Sequence, residues 1–453
     1  MEEDGAFTSL LGDSGEAPSS DSARLATQLL AGVTVWRRRL DSLIGALYDG
    51  GCGKLEPTVH NVLRVALYEL LLLDTPPHAA VNEAVAAVRA LRRPRAAALV
   101  NAVLRSAVRC REAGTLPEPP LPDQGAPLEA CVSALGVALS MPDWIVLRWV
   151  QRYGREEALA LLAASNRAQP AHGLRPCDPA TSLEQLAGAC VADGVQAAPS
   201  ALLPAHLLRV EGTLAPLRAH LRAGRLALQD EAAALVVQLL EPRPGMSLAD
   251  VCAAPGGKAL FAASRGASVT ALDAHPGRMR MLVAAAAAQG LSGRLSCSVG
   301  DVREWCAAPG RAASFSAVLV DAPCTGLGVL AKRADLRWRR VEPDVARAAE
   351  LQLSLLSAAA SLAQPGGLLV YSTCSTEPEE NSGVVKAFLD SQLGRAEWQL
   401  ERADAVEGIP REALSPDGRF LAPMPHRTHT DGAFGARLRR RAPVAASRTK
   451  QFE

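Results

Sequence analysis

One stretch constrains this chain more than any other: Ser247 to Asp273, SLADVCAAPGGKALFAASRGASVTALD. Leu248–Val251 is a short apolar run with a β-branched end, of the length expected for a buried parallel strand. Ala253, Ala254, Pro255, Gly256 and Gly257 follow, small residues at which a backbone can turn sharply and approach a ligand. Lys258 opens a helical segment whose first amides would face the same crevice. A second apolar run, Val269–Leu272, ends in Asp273, about 20 residues beyond the turn, where a doubly wound fold sets an acid on a ribose. The stretch predicts a nucleoside-cofactor site.

What the turn lacks narrows the cofactor. A P-loop would need Gly at 252 and Ser or Thr at 259, and the chain has Cys252 and Ala259. The dinucleotide pattern G-x-G-x-x-G is absent as well. An ordinary tight turn would account for the stretch if nothing followed it. Instead, strand-like runs recur at Arg294–Val299, ending at Gly300-Asp301; Phe315–Val320, ending at Asp321-Ala322-Pro323-Cys324; and Leu368–Tyr371, running into Ser372-Thr373-Cys374-Ser375. Helical stretches around Arg278–Gln289 and Val345–Leu362 separate them. Strands alternating with helices predict a parallel sheet with ligands beyond its carboxyl ends. The acids and cysteines sit at those ends.

Length and composition bound the rest. At 453 residues the chain exceeds the ~250–300 residues at which a single core stops growing. Apolar residues make up 49%, and the formal charge is +1, so nucleic acid would be held by local basic patches, not by global attraction. No run approaches the ~18 apolar residues of a membrane span. The ten cysteines include no CxxC pair, which argues against zinc and a disulfide framework and for a reducing compartment. No metal is expected. The MEEDGAF start carries no targeting pattern, so the expectation is a cytoplasmic monomer, with an organelle left open should a leader precede it.

From Ala23 to about Arg109 the pattern is helical throughout. Apolar residues recur at spacings of three and four in Leu25–Val35, Leu40–Leu47, Val59–Leu72, Val81–Leu91 and Ala97–Val108. Arg37, Arg38, Arg39, Arg92, Arg93, Arg95, Arg105 and Arg109 make this region basic; solvated helix faces and RNA contact explain that equally well. Five prolines within 112–127 mark a linker. The expected domains are an all-α domain at 1–110, the linker at 111–127, a helical and α+β module at 128–228, a Rossmann-like domain at 229–441 and a tail at 442–453.

Cys324 and Cys374 carry the chemistry in this reading. A thiolate can add to C6 of a cytosine and make C5 nucleophilic enough to take a methyl group from a sulfonium. A base then removes the C5 proton so that the thiol can leave. Thr376–Glu379 matches the capping box T-x-x-E, which would put Cys374 just before a helix N-terminus that favours the thiolate. Buried structural thiols are the alternative for either cysteine alone.

CAAPGGK (252–258), DAPCTGLGVL (321–330), KRADLRW (332–338), YSTCS (371–375) and PEEN (378–381) resemble the RNA 5-methylcytosine methyltransferase family. The helical start, with Asn101-Ala-Val-Leu-Arg105, is similar to the NusB-type domain of that family's RsmB/Sun branch. The resemblance covers nearly the whole chain, departing at Arg333-Ala334-Asp335 where many members have His-Pro-Asp. It implies an S-adenosylmethionine-dependent RNA (cytosine-5)-methyltransferase acting on small-subunit rRNA. Cys252, Ala253, Ala254, Pro255, Gly256, Gly257 and Lys258 would line the cofactor site, joined by Arg278. Asp273 would hold the ribose, Asp301 the adenine and Asp321 the methionine amino group. Cys374 would be the nucleophile and Cys324 would assist release. Pro323-Cys324 also resembles the nucleophile dipeptide of DNA cytosine-5 methyltransferases, which keeps the opposite assignment open. The target base would have to leave its stack, with Lys332–Arg340 and Arg437–Arg441 as RNA contacts. A non-catalytic RNA-binding assembly factor on the same fold is the alternative function.

Overall fold

The computed structural model describes residues 21–117, 127–167, 171–178 and 180–442. Most of the proline-rich linker and of the 442–453 tail, and the acidic start, lie outside the described residues. The chain divides into two compact units, one of residues 1–168 with 330–341, the other of 169–329 with 342–453.

The first unit is helical: α1 (Asp21–Leu47), α2 (Pro57–Leu72), α3 (Pro77–Ala90), α4 (Ala97–Glu112), α5 (Leu128–Ala138), α6 (Asp143–Tyr153) and α7 (Arg155–Ala164). The two apolar runs expected before Leu47 are one helix, because nothing between Val35 and Leu40 breaks it. Pro57 and Pro77 occupy first helical positions, where a missing N–H leaves no bond unmade. The periodic residues Leu40, Ile44, Leu63, Leu67, Val88, Val100 and Leu104 form one core. Arg64 is buried at its edge and donates to both carboxylate oxygens of Asp41, at 2.7 and 2.8 Å, joining α2 to α1.

The second unit holds two sheets. The smaller is antiparallel, in the order β2-β3-β1-β4, from β1 (His172–Pro176), β2 (Ala197–Pro199), β3 (Leu208–Val210) and β4 (Leu226–Leu228). Two helices accompany it, α8 (Leu183–Ala192), started by a capping box of Ser182 and Gln185, and α9 (Arg218–Arg222). Helix α10 (Glu231–Gln238), capped by Asp230, leads into the larger sheet.

That sheet begins with β5 (Ser247–Asp250), α11 (Gly257–Ser264), β6 (Ser268–Asp273), α12 (Pro276–Ala288), β7 (Leu295–Val299), α13 (Val302–Ala307) and β8 (Phe315–Asp321). The connection after β8 includes α14 (Leu336–Arg339) and belongs to the helical unit. The chain returns through α15 (Pro343–Ala360), β9 (Ala363–Thr373), α16 (Ser382–Asp390), α17 (Gln392–Glu397), β10 (Trp398–Glu401) and β11 (Phe434–Arg440). Strand order is β10-β11-β9-β8-β5-β6-β7. The strands from β5 to β9 are parallel as expected, and the order reverses beside β5, where such sheets open a crevice.

The far edge is antiparallel, and it corrects the expectation for Arg437–Arg441. This stretch is a strand and not a tail: its first four residues lie in β11, paired between β9 and β10. Arg437 is buried and ion-paired to Glu241 and Glu401, both at 2.6 Å; Arg439 pairs with Glu401 and Arg440 with Glu397. Arg441 donates to the Arg395 carbonyl oxygen. These charges are spent on joining strands.

Candidate active site

The β5–α11 turn is held from the neighbouring strand. Ala253 N donates to Leu272 O at 2.9 Å, and Ala254 N to Asp273 Oδ2 at 3.1 Å. The other Asp273 oxygen accepts from His275 N at 2.8 Å, so this buried carboxylate organises two turns at once. The Ala254–Pro255 peptide is cis. Gly256 begins α11 at φ 115°, and a Cβ there would lie 2.8 Å from Leu282 Cγ, so only glycine fits. At Gly257 the nearest side-chain atom to such a Cβ is 3.7 Å away, which leaves the first turn of α11 open.

Lys258 turns inward. Its ammonium lies 2.6 Å from Asp321 Oδ2, while Asp321 Oδ1 accepts from Ser372 Oγ at 2.7 Å. Burial alone would pull the Lys258 pKa down, but Asp321, with smaller contributions from Cys374 and Asp250, carries it upward. Asp250, at the end of β5, is 1% exposed, and among the described residues neither carboxylate oxygen has a hydrogen-bond partner. Burial, then the charge of Asp321, pushes its carboxyl up to about 8, so it holds a proton at neutral pH. Cys252 is raised well above a usual thiol by burial and by Asp250, Asp321 and Asp273.

Asp301 stands apart from this group. It caps α13 through Arg303 N at 2.8 Å, and its ion pair with the Arg303 side chain holds its carboxyl down at about 2. Arg278 is exposed on the first turns of α12.

The two cysteines meet. Asp321 and Ser372 are register partners on adjacent parallel strands, and Ala322 N extends the pairing to Ser372 O at 2.8 Å. The loops that follow stay together: Gly328 N donates to Cys374 O at 2.9 Å, and a Cβ on Gly328 would lie 2.7 Å from that oxygen. Fifty positions apart, Cys324 and Cys374 bring their sulfurs to 3.1 Å. The hydrogen bond with Cys374, then burial, then the charges of Cys374 and Glu380 drive the Cys324 thiol well above its usual range.

One support expected for Cys374 is absent. No helix starts at Thr376, whose hydroxyl donates to Glu377 Oε1; α16 begins at Ser382, after a turn at 378–381. No helix dipole acts directly on the sulfur.

The Lys332–Arg340 stretch also needs correcting. Arg337 is fully buried and cannot touch RNA. It donates to Ser165 O at 2.9 Å, Ala334 O at 3.1 Å and Leu330 O at 3.3 Å, and also to Asn166 Oδ1. Trp338 Nε1 donates to Thr34 O at 2.6 Å, and the Arg37 guanidinium lies over its ring. Arg337 and Trp338 are thus fixed within the helical unit, while Arg339 is exposed.

Sequence reasoning passed over Asp250, which reads as one letter of an apolar strand, and Gln352, which looks like any helix residue. Glu380 stands inside the noted PEEN motif, though the letters alone give it no task.

Known proteins share both the sequence and the fold. Residues 237–439 match the family model described as 16S rRNA methyltransferase RsmB/F, and 1–109 match the NusB family. Among curated relatives, a probable ribosomal RNA small subunit methyltransferase B of Synechocystis sp. is 32% identical, covering 93% of this chain and 92% of the relative. Its counterpart of Bacillus subtilis is 31% identical over the same shares. Among solved structures, PH0851 superposes with a TM-score of 0.74 at 24% identity, over 93% of this chain and 91% of that one. NSun6 from Pyrococcus horikoshii, solved with SFG, gives 0.57 at 22% over 66% and 98%.

Proposed function

The chain belongs to the RsmB/F family of 16S rRNA methyltransferases, and from that premise we propose that it methylates carbon 5 of a cytosine in small-subunit rRNA through a covalent cysteine adduct. The observation that carries the reading is the 3.1 Å approach of Cys324 and Cys374 beside the Lys258–Asp321 pair. Two thiols at that distance serve a reaction in which one sulfur adds to the base and the second group handles a proton.

The site's donor set suits S-adenosylmethionine, whose analogue SFG occupies the fold neighbour NSun6. Asp273 and Asp301 are the acids for ribose and adenine, with the 252–258 turn around them and Arg278 at the rim. Asp321, whose two oxygens accept from Lys258 and Ser372, is the acid for the methionine ammonium. When bound, S-adenosylmethionine supplies the electrophilic methyl group.

The protein's own residues do the rest. Cys374 Sγ attacks C6 as the thiolate, opening the C5–C6 double bond and placing an electron pair on C5. Lys258, paired with Asp321 Oδ2, is the cation of this site. The Cys374 charge is one cause of the high Cys324 pKa, and it disappears when the C–S bond forms. The C5 electron pair would take the methyl group that S-adenosylmethionine supplies, and Cys324, relieved of that charge, would give its own proton to solvent. It then takes the C5 proton, the C5–C6 double bond reforms, and Cys374 leaves as thiolate. RNA affinity comes from the helical unit, where Arg92, Arg95, Arg105 and Arg109 are exposed.

Bisulfite sequencing of small-subunit rRNA from cells with and without the protein tests the reading. One cytosine protected only in its presence is the expected result. Methylation found at another base, or at a ring position other than C5, would overturn the cytosine-5 assignment.

A further inference from the structure

Glu380 lies in the turn before α16 and is fully buried. Four hydrogen bonds from the described residues reach its carboxylate, and none of the four comes from a cation. Thr325 gives two, from its amide at 2.8 Å and from its hydroxyl; Ser375 Oγ gives one at 2.6 Å and Gln352 Nε2 one at 3.0 Å. Thr325 directly follows Cys324, and Ser375 directly follows Cys374. Gln352, on α15, also donates to Pro323 O at 3.0 Å, just before Cys324. Tyr371 closes the ring by donating to Gln352 Oε1 at 3.1 Å and to the Glu380 carbonyl oxygen.

Burying a carboxylate without a cation is costly unless its lone pairs are filled, as they are here. The bonds that fill them come from both cysteine loops. We propose that Glu380 is the positioning residue of this thiol pair, fixing the two loops against each other and setting its carboxylate charge beside Cys324. It acts on the sulfurs through Thr325, Ser375 and its field. The inference rests on the proposed covalent reaction for its purpose, but its geometry can be tested without RNA or cofactor.

Two substitutions separate the tie from the charge. In Glu380→Gln the amide group can face the Thr325 and Ser375 hydroxyls, which accept as well as donate, while its oxygen still accepts from Thr325 N and Gln352. Position is kept and charge removed. Glu380→Ala removes both. Dibromobimane, which fluoresces on bridging neighbouring thiols, reports whether Cys324 and Cys374 stay together, with the bridge located by mass spectrometry. Iodoacetamide labelling against pH, read at each cysteine, reports ionisation.

The expected result is bridging in wild type and Glu380→Gln, and bridging slowed roughly tenfold or more in Glu380→Ala. Cys324 labelling in Glu380→Gln should move to lower pH. Wild-type bridging in Glu380→Ala would overturn the positioning role, and an unmoved Cys324 profile in Glu380→Gln would overturn the charge role. Should Glu380→Ala not fold, Thr325→Val and Ser375→Ala cut the ties singly, and wild-type bridging in both would also refute the tie. If the thiols behave as expected and no cytosine is methylated, the reaction assignment fails while Glu380 keeps its place.

Discussion

The sulfur of Cys324 lies 3.1 Å from that of Cys374 because β8 and β9 are parallel neighbours whose ends are in register at Asp321 and Ser372. At that separation both sulfurs can reach one bound base, and the proposed reaction gives each a different task. The two substitutions at this pair should therefore differ in kind. Cys374→Ala should form no protein–RNA adduct and lose methylation. Cys324→Ala should attack, transfer the methyl group and stall as an adduct that survives a denaturing gel. An adduct seen with Cys374→Ala and not with Cys324→Ala would exchange the roles.

Asp250 predicts a pH dependence. Its carboxyl sits at about 8 in the fold against an ordinary 3.8. The folded protein therefore keeps a proton that the unfolded chain releases as pH rises through 3.8. From there to about 8 this group makes cofactor-free protein less stable with rising pH, by at most about 1.4 kcal/mol per unit. Asp250→Asn should remove that contribution. Denaturant unfolding at a series of pH values checks it, and parallel profiles for the two proteins would count against a raised Asp250.

Asp273→Ala should weaken S-adenosylmethionine binding by roughly tenfold to a hundredfold, the ~1–3 kcal/mol of a buried polar interaction left unmade. The Ala254 and His275 amides lose their acceptor at the same time, so a melting curve belongs beside the calorimetric titration. Unchanged affinity would remove Asp273 from the cofactor site.

Arg337→Ala should behave as a core lesion. The carbonyls and the amide oxygen that receive its hydrogen bonds would be left buried, at a cost of about 2–5 kcal/mol. A lowered melting temperature with no change in the salt slope of RNA binding is the expected outcome for the folded fraction. By contrast, replacing Arg92, Arg95, Arg105 and Arg109 with glutamine should weaken RNA binding and reduce that slope by roughly 0.7–0.9 for each phosphate no longer neutralised. Filter binding across a salt series reads both.

The catalytic sheet was legible because its signals are local: apolar runs of strand length, a glycine turn, and acids or cysteines at the run ends. The meeting of Cys324 and Cys374 could be read as well, since adjacent parallel strands bring their ends together. What escaped depended on distant partners. Arg437, Arg439 and Arg440 looked like a basic tail because Glu241, Glu397 and Glu401 lie far away in sequence. Thr376 and Glu379 fit a capping box, yet Glu377 took the Thr376 hydroxyl and the helix began later. Arg337 resembled a surface charge until the carbonyls of Ser165, Leu330 and Ala334 closed around it.

The path of residues 330–341 has a consequence for modularity. The chain passes between its two compact units at 168/169, at 329/330 and again at 341/342. A single protease cut after residue 168 would yield fragments in which the C-terminal piece still carries a length of the helical unit's interior, Arg337 included. Neither fragment then matches a compact unit, and complementation between the two, or co-purification after nicking, is what such stitching favours over clean separation. For the same reason, exchanging helical units between relatives requires moving 330–341 together with the N-terminal helices, because a graft with one junction would pair the new helices with the old insert.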